Sequence, residues 1–359
     1  MGMTRSLRIL FTGDFDPDYN RTRILRAGLA DLGHRIADLP VQRRSRAVRR
    51  ELFARSRDCD VLFLPPFTHR EVGFVRKAVP DRPLLFDPLI SRHMTKVTDY
   101  RSAVPWGISA LRNHFRDLWS LRAADFVVTD TDAHRQWFHA RYRTPLERMA
   151  VVPIGNDFRE FHPPGVPRAA SAPFVVGFYG GFIPLQGTTT ILEAARLLLP
   201  RTDIRFVLAG TGHEYELAKA TVARDCLVNV TLPGYVPYDR LCEAIHGFDL
   251  ALGIFGTTPK SALVVPNKVF HYLACARPVV TRDSPAMREL FVHDEHLWLV
   301  PPDARALAQA IEQLVADPGR CARLASAGHD RVARDFDHVA IGRMLVACFE
   351  RAIACHGRR

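Results

Sequence analysis

Short apolar runs alternate with helix-length stretches along most of this sequence, and few folds accommodate that pattern. LRILFTG (residues 7–13) precedes a helical stretch near residues 21–32; VLFLPP (61–66), PLLFD (83–87) and FVVTD (126–130) follow, with helical spacing between them. Such runs are continuous in Leu, Val, Ile and Phe, as expected of strands buried on both faces. Separated by crossover helices, they predict a parallel sheet. The segment FHPPGVPRAASAP (161–173) is rich in proline and small residues and has no period, so it is assigned as a linker.

After that linker the pattern restarts. FVVGFYGG, a helix TTTILEAARLLL, DIRFVLAGTG, NVTLPGYV, FDLALGIFG, a helix opening at Pro266, PVVTRD and HLWLVPP form a second series. The chain of 359 residues is long for one core and comfortable for two. The expectation is an α/β chain of two doubly wound Rossmann-like domains, residues 1–165 and 166–335, facing a cleft. The segment FDHVAIGRMLVACFERAIA has apolar residues at helical spacing, and residues 336–359 are expected to form a helix crossing back to the first domain.

Composition removes several function classes. No apolar run reaches the length of a membrane span, and the start of the chain lacks a signal peptide's apolar region, so a cytoplasmic protein is expected. Seven cysteines without a CxxC pair suggest neither a zinc site nor a disulfide framework. The formal charge of +11 is uneven, residues 1–165 holding 28 Lys and Arg against 19 Asp and Glu. The densest stretch, QRRSRAVRRELFARSRD (42–58), places Arg43, Arg46, Arg50 and Arg57 near one helical face. A basic half suits an anionic acceptor, or peripheral contact with an anionic membrane surface at its inner face. Nucleic acid is not expected, because no stacking aromatics accompany the charge.

In doubly wound sheets ligands bind outside the carboxyl ends of strands, so the residues following each run carry the information. Gly180-Gly181, Gly210-Thr211-Gly212 and Gly256-Thr257-Thr258 follow three such runs, and Pro266-Asn267-Lys268 opens a helix just beyond. Glycines there admit close approach of a ligand, and helix starts offer amides to an anion. The chain holds 44 arginines and only five lysines, of which Lys260 and Lys268 fall in this segment. A compact ammonium suits phosphate. In the first half Asp87, Ser91 and His93 follow a strand, and the opening loop 13–21 carries Asp14, Asp16 and Asp18 at alternate positions. That loop lacks the glycine and glutamate of a calcium loop, Tyr19 and Leu25 standing in their places, and no metal is expected.

The linked series GFYGGFIPLQGTTTILEAARLL, RFVLAGTGHEYEL, VTLPGYVPYDRLCEAI, FDLALGIFG, PNKVFHYLACARPVVT and LWLVPPDARALAQAIEQLV resembles the C-terminal domain of family-4-like retaining glycosyltransferases of the GT-B fold. AADFVVTDTDAHRQWF with VVPIGNDFREFHP, and GDFDPDYNRTRILRAGLADLGH, extend the resemblance into the first half. It implies transfer of a sugar with retention of configuration from a nucleotide diphosphate sugar to a glycan, a lipid-linked sugar or a small metabolite, without metal or other cofactor. It also implies that no protein nucleophile is needed.

By that resemblance the base lies against Gly234, Tyr235 and Val236, the ribose faces His271, and the diphosphate lies among Gly180, Gly181, Gly256 and Lys268. Gln186, Gly210, Gly212, Phe255, Lys260 and Asn267 complete the donor side. Asp87 and Lys268 are the catalytic candidates, and Gly13, Arg21, Ser91 and His93 the acceptor or sugar contacts. The chain departs from the family's pattern at Gly181 and Gln186, where an Arg and a Lys are usual, and at Leu263 and His271, where two glutamates are usual. Two other readings follow from those departures and the shared fold: a catalytically weak sugar-nucleotide-binding subunit, and a sugar-nucleotide epimerase.

Overall fold

The computed structural model describes residues 5–165 and 173–357; residues 166–172 of the proline-rich segment lie outside the described residues. The chain divides into two compact units, Met1–Gly155 with His338–Arg359, and Asn156–Asp337.

The first unit is built on a parallel sheet of β1 (Arg8–Gly13), β2 (Arg35–Pro40), β3 (Val61–Leu64), β4 (Leu84–Phe86), β5 (Phe126–Thr129) and β6 (Met149–Val151), in the order β2-β1-β3-β4-β5-β6. β1, β3, β4 and β5 are the four apolar runs of the sequence. The edge strands β2 and β6 were not apparent as runs: RIADLP alternates, with Leu39 its one buried residue. The core under helices gathers Leu62, Phe86, Val127 and Phe138. The helix His338–His356 packs against the helix Asn20–Asp31, where a Cβ on Gly28 would lie 1.9 Å from the His338 carbonyl oxygen. Both helices present glycine at the crossing, Gly28 and Gly342.

The second unit has β7 (Phe174–Tyr179), β8 (Ile204–Ala209), β9 (Val230–Gly234), β10 (Leu250–Leu252), β11 (Val279–Arg282) and β12 (Trp298–Val300), ordered β12-β11-β10-β7-β8-β9 and parallel throughout. Its core joins Val176, Phe178 and Phe206 of the strands to Ile191, Leu192 and Ile311 of the covering helices. The order reverses between β7 and β10, which is the switch point where such sheets take ligands. In the first unit the reversal lies between β1 and β3. The two six-stranded sheets with flanking helices are those of the GT-B fold. Among the described residues no helix is long and apolar enough to cross a membrane.

Candidate functional site

At the switch point of the second unit, three glycine-bearing turns close on one another because their backbones touch. Gly210 has φ 135°, and a Cβ there would lie 1.9 Å from the Gly180 carbonyl oxygen. At Gly212 a Cβ would lie 2.7 Å from Phe182 N. The Gly210 amide donates to Gly234 O at 2.7 Å, and the Phe182 amide to Thr211 O at 2.9 Å. The turn Pro184–Gln186 meets the loop after β10 in the same way: Phe255 N donates to Gln186 O at 2.9 Å, and a Cβ on Gly256 would strike the carbonyls of Pro184 and Leu185 at 2.4 Å. These glycines serve close approach of chain to chain. They leave a recess of about 290 Å³ lined by Tyr179, Gly180, Gly181, Gly210, Thr211, Tyr235, Val236 and Tyr238, among others.

Beneath the rim of that recess sits Lys268. The helix Asn267–Ala274 starts after Pro266, which is its N-cap rather than its first residue, and no side chain caps it. Lys268, in the first turn, is buried, and its Nζ donates to Gln186 Oε1 at 2.5 Å. The ammonium also lies 3.5 Å from the centroid of the Phe178 ring. A Cβ on Gly180 would be 2.6 Å from Nζ, so the lysine passes under a backbone that only glycine allows. Burial pushes its pKa well below the usual lysine range. Among the described residues no carboxylate lies within ion-pair distance of it, and a buried cation held by an amide and the rings of Phe178 and Tyr179 lacks the charge partner that burial ordinarily demands.

Two further cations border the same loop. Lys260, buried, lies in the turn Pro259–Ala262. Arg282, at the end of β11, donates to the Gly256 carbonyl and, at 2.5 Å, to Ser261 Oγ. Ser261 Oγ in turn donates within 2.6 Å of Gly256 O and Thr258 O. Burial lowers the Arg282 pKa, with Asp283 opposing. Arg282 was not singled out from sequence, although a charged residue ending an apolar run at β11 was the available signal.

Several expected contacts are instead interior. His271 is 2% exposed: its ring stacks on Phe161 with centroids 3.7 Å apart, and its Nδ1 shares a hydrogen bond of 2.6 Å with Tyr179 Oη. Burial brings its pKa down to about 3. The ring fills the core side of its helix, so a ribose outside cannot reach it as it stands. Phe255 is fully buried and anchors its loop, leaving only its backbone available to a ligand. Tyr235, by contrast, is 70% exposed at the recess.

The first-unit candidates also turn inward. Asp87 and Arg21 are both fully buried, and Arg21 Nε donates to Asp87 Oδ2 at 2.5 Å. The same guanidinium reaches Val152 O and Pro153 O, at 2.9 and 3.1 Å. Burial raises the Asp87 pKa and Arg21 pulls it back. A sealed carboxylate bonded to its own unit has no face for a sugar. Ser91 caps the turn Arg92–Met94 and donates to Asp117 at 2.7 Å, while His93 Nδ1 shares a 3.0 Å bond with Ala110 O. Gly13 has φ 121°, and a Cβ there would meet Thr68 Cγ2 at 2.6 Å. These five positions hold the carboxyl edge of the first sheet together.

Asp14, Asp16 and Asp18 do not converge as metal ligands; among the described residues the group that does is His162, Cys242 and His246, in the second unit. There His246 Nε2 already lies 2.7 Å from the His162 carbonyl, and Cys242 Sγ lies 3.9 Å from Cys275 Sγ.

Comparison with known proteins accords with this placement. Residues 173–317 match the family described as glycosyl transferases group 1. The chain is 26% identical over 268 residues to the D-inositol 3-phosphate glycosyltransferase of Kineococcus radiotolerans, covering 65% of this chain and 58% of that one. It is 24% identical over 208 residues to a GDP-mannose-dependent monoacylated alpha-(1-6)-phosphatidylinositol monomannoside mannosyltransferase of Corynebacterium glutamicum, covering 54% of each. The alignments thus span little more than half the length of these relatives. Among solved structures, sucrose-phosphate synthase of Thermosynechococcus elongatus superposes with a TM-score of 0.76 at 16% identity, over 98% of this chain and 100% of the other. Anabaena HepE, determined with UDP and glucose, gives 0.71 at 15% identity, over 95% and 98%.

Proposed function

We propose that the protein transfers a sugar, with retention of configuration, from a nucleoside diphosphate sugar bound at the second unit, a reading supported by the match of residues 173–317 to the glycosyl transferases group 1 family and by the shared fold. The observation that carries this reading is the buried Lys268 ammonium, without a carboxylate partner among the described residues, directly under Gly180 at the switch point. A diphosphate lying over the Gly180-Gly181 turn would supply the missing negative charge. The uncapped start of the helix Asn267–Ala274 adds amides of the same sign, and Lys260 and Arg282 stand behind the loop of Gly256.

The chemistry asks little of the protein beyond position and charge. As the bond from anomeric carbon to diphosphate oxygen lengthens, negative charge grows on the leaving group, and preorganised cations and amides stabilise it. Tyr235 and Val236 offer an apolar edge for the base beside the glycine turns. Attack by the acceptor hydroxyl on the same face, its proton passing to the departing diphosphate oxygen, accounts for retention without a protein nucleophile. No metal is invoked, since the cations of this chain meet the charge. The acceptor classes open to it are a glycan, a lipid-linked sugar or a small metabolite.

One observation favours a second reading, a subunit that binds sugar nucleotides with little turnover. His271 is interior and Leu263 carries no polar group, so neither replaces a ribose-binding carboxylate. The deciding experiment measures melting temperature against UDP, GDP and ADP, then donor consumption and product anomer by NMR with and without EDTA. Stabilisation by a diphosphate with retained product in EDTA is expected. An inverted product, or activity abolished by EDTA and restored by Mn²⁺, overturns the mechanism. Binding with no turnover across an acceptor panel establishes the second reading.

A further inference from the structure

The helix Ile108–Ala123 in the first unit is amphipathic in the wrong sense for a protein surface. Its buried residues are Ala110, Asn113, Asp117, Ser120 and Leu121, three of them polar. Helical spacing puts Ile108, Leu111, Phe115 and Trp119 on the opposite face, and all are exposed, Ile108 at 85% and Trp119 at 63%. Trp106, 88% exposed, and Val104 extend the patch into the preceding turn. Water is a poor neighbour for such a stripe. Contiguous apolar surface of this kind marks a contact with another apolar phase.

Arginines gather along its flank. Arg44, Arg70, Arg92 and Arg112 lie close enough to Arg116 to repel its charge, and Arg44 donates to the Arg70 carbonyl at 3.4 Å. Arg112 and Arg116 belong to the striped helix itself. The helix His69–Ala78 packs between it and the helix Arg46–Ser56, so the exposed Arg43, Arg46 and Arg50 belong to the same helical layer. The helix follows the loop leaving the carboxyl end of β4, so its start adjoins the edge of the first sheet where ligands bind.

We propose that the face made by Trp106, Ile108, Leu111, Phe115 and Trp119, flanked by Arg112 and Arg116, docks on an anionic lipid bilayer. The rings and aliphatic chains enter the boundary between headgroups and acyl chains, and the arginines meet lipid phosphates. Charge selects this occupant over a second copy of the chain, because a two-fold contact through this face would bring equivalent arginines of both copies together. It is independent of how the second unit holds its ligand.

The test is co-sedimentation of the full chain with phosphatidylcholine vesicles, with and without phosphatidylglycerol. Binding to the anionic vesicles alone is expected, weakening as salt rises. The triple variant Trp106→Ser, Ile108→Ser, Trp119→Ser should bind them at least tenfold less tightly, at an unchanged melting temperature since all three side chains are exposed. Arg112→Ala with Arg116→Ala should weaken binding and flatten its salt dependence. A parent protein that leaves anionic vesicles unbound overturns the proposal. So does a triple variant that binds as well as the parent, or a parent dimer that the triple variant dissolves without lipid.

Discussion

The Nζ of Lys268 donates to the Oε1 of Gln186 while resting against the ring of Phe178, so its charge is met by a dipole and a π face but, among the described residues, by no anion. Gln186 stands where the resembling family has a lysine. In this chain the Gln186 amide holds the Lys268 ammonium, which under the proposed function takes the phosphate-facing part. A cation so held is stabilised when a diphosphate arrives, and costs free energy when none is there.

Replacing Lys268 by Ala should therefore lower turnover about a hundredfold or more, on the scale of roughly 3 kcal/mol for one preorganised electrostatic contact. Lys268→Arg should recover part of the rate, the planar guanidinium approaching phosphate differently. Burial lowers the pKa of this lysine, so the free protein loses the cation as pH rises, and diphosphate affinity should fall with it. Steady-state kinetics and titration calorimetry at rising pH measure both. A folded Lys268→Ala protein with normal turnover would return the phosphate charge to Lys260, Arg282 and the backbone.

Tyr235 is the exposed aromatic of the recess. If it stacks on the base, Tyr235→Ala should weaken nucleotide binding by about 1–3 kcal/mol, the range for one base on one ring, and Tyr235→Phe should bind as the parent does. Equal affinities for the parent and Tyr235→Ala would place the base elsewhere.

Asp87 and Arg21 are a buried pair, so their removal should be felt as stability. Asp87→Ala strands a guanidinium in the core and should cost about 3–5 kcal/mol. The double change Arg21→Met, Asp87→Leu should recover part of that loss in denaturant melts. Turnover per folded molecule should stay near the parent's. A stable Asp87→Ala protein without activity would restore a catalytic role to this carboxylate.

His271 is neutral in the fold, its pKa held near 3 by burial against about 6.5 when unfolded. Below that unfolded value the denatured chain takes up a proton the native one refuses. Stability is complete above about pH 6.5 and falls on acidification, by about 1.4 kcal/mol per pH unit from this group, down to the folded pKa. In His271→Gln, which keeps an acceptor for Tyr179, the acid limb should be shallower by that slope. Parallel acid limbs for the two proteins would show that His271 titrates freely.

The second sheet was legible because each of its six strands falls within a segment of the repeating series, and glycine directly follows β7, β8 and β10. Legibility failed where a residue's role depends on a partner distant in sequence. Asp87 follows a strand as a catalytic acid would, yet Arg21, 66 residues earlier, satisfies it. His271 occupies the family's ribose position in sequence, while Phe161 and Tyr179 hold its ring inside. The arginine-rich stretch 42–58 drew attention to charge, whereas the larger apolar face starts at Val104. Its period was readable, but which face of that helix turns outward depends on packing.

The glycine crossing of Gly28 and Gly342 joins the first helix of the chain to the last. A ribosome releases the whole second unit before it releases residues 338–356, so the nascent first sheet must wait with one flank of Phe63 uncovered until Phe349 arrives to meet it edge to face. The second unit, continuous in sequence, is free to fold during that delay. A bulky side chain at either glycine would thus act late in biogenesis, leaving a finished second unit tethered to an open first one.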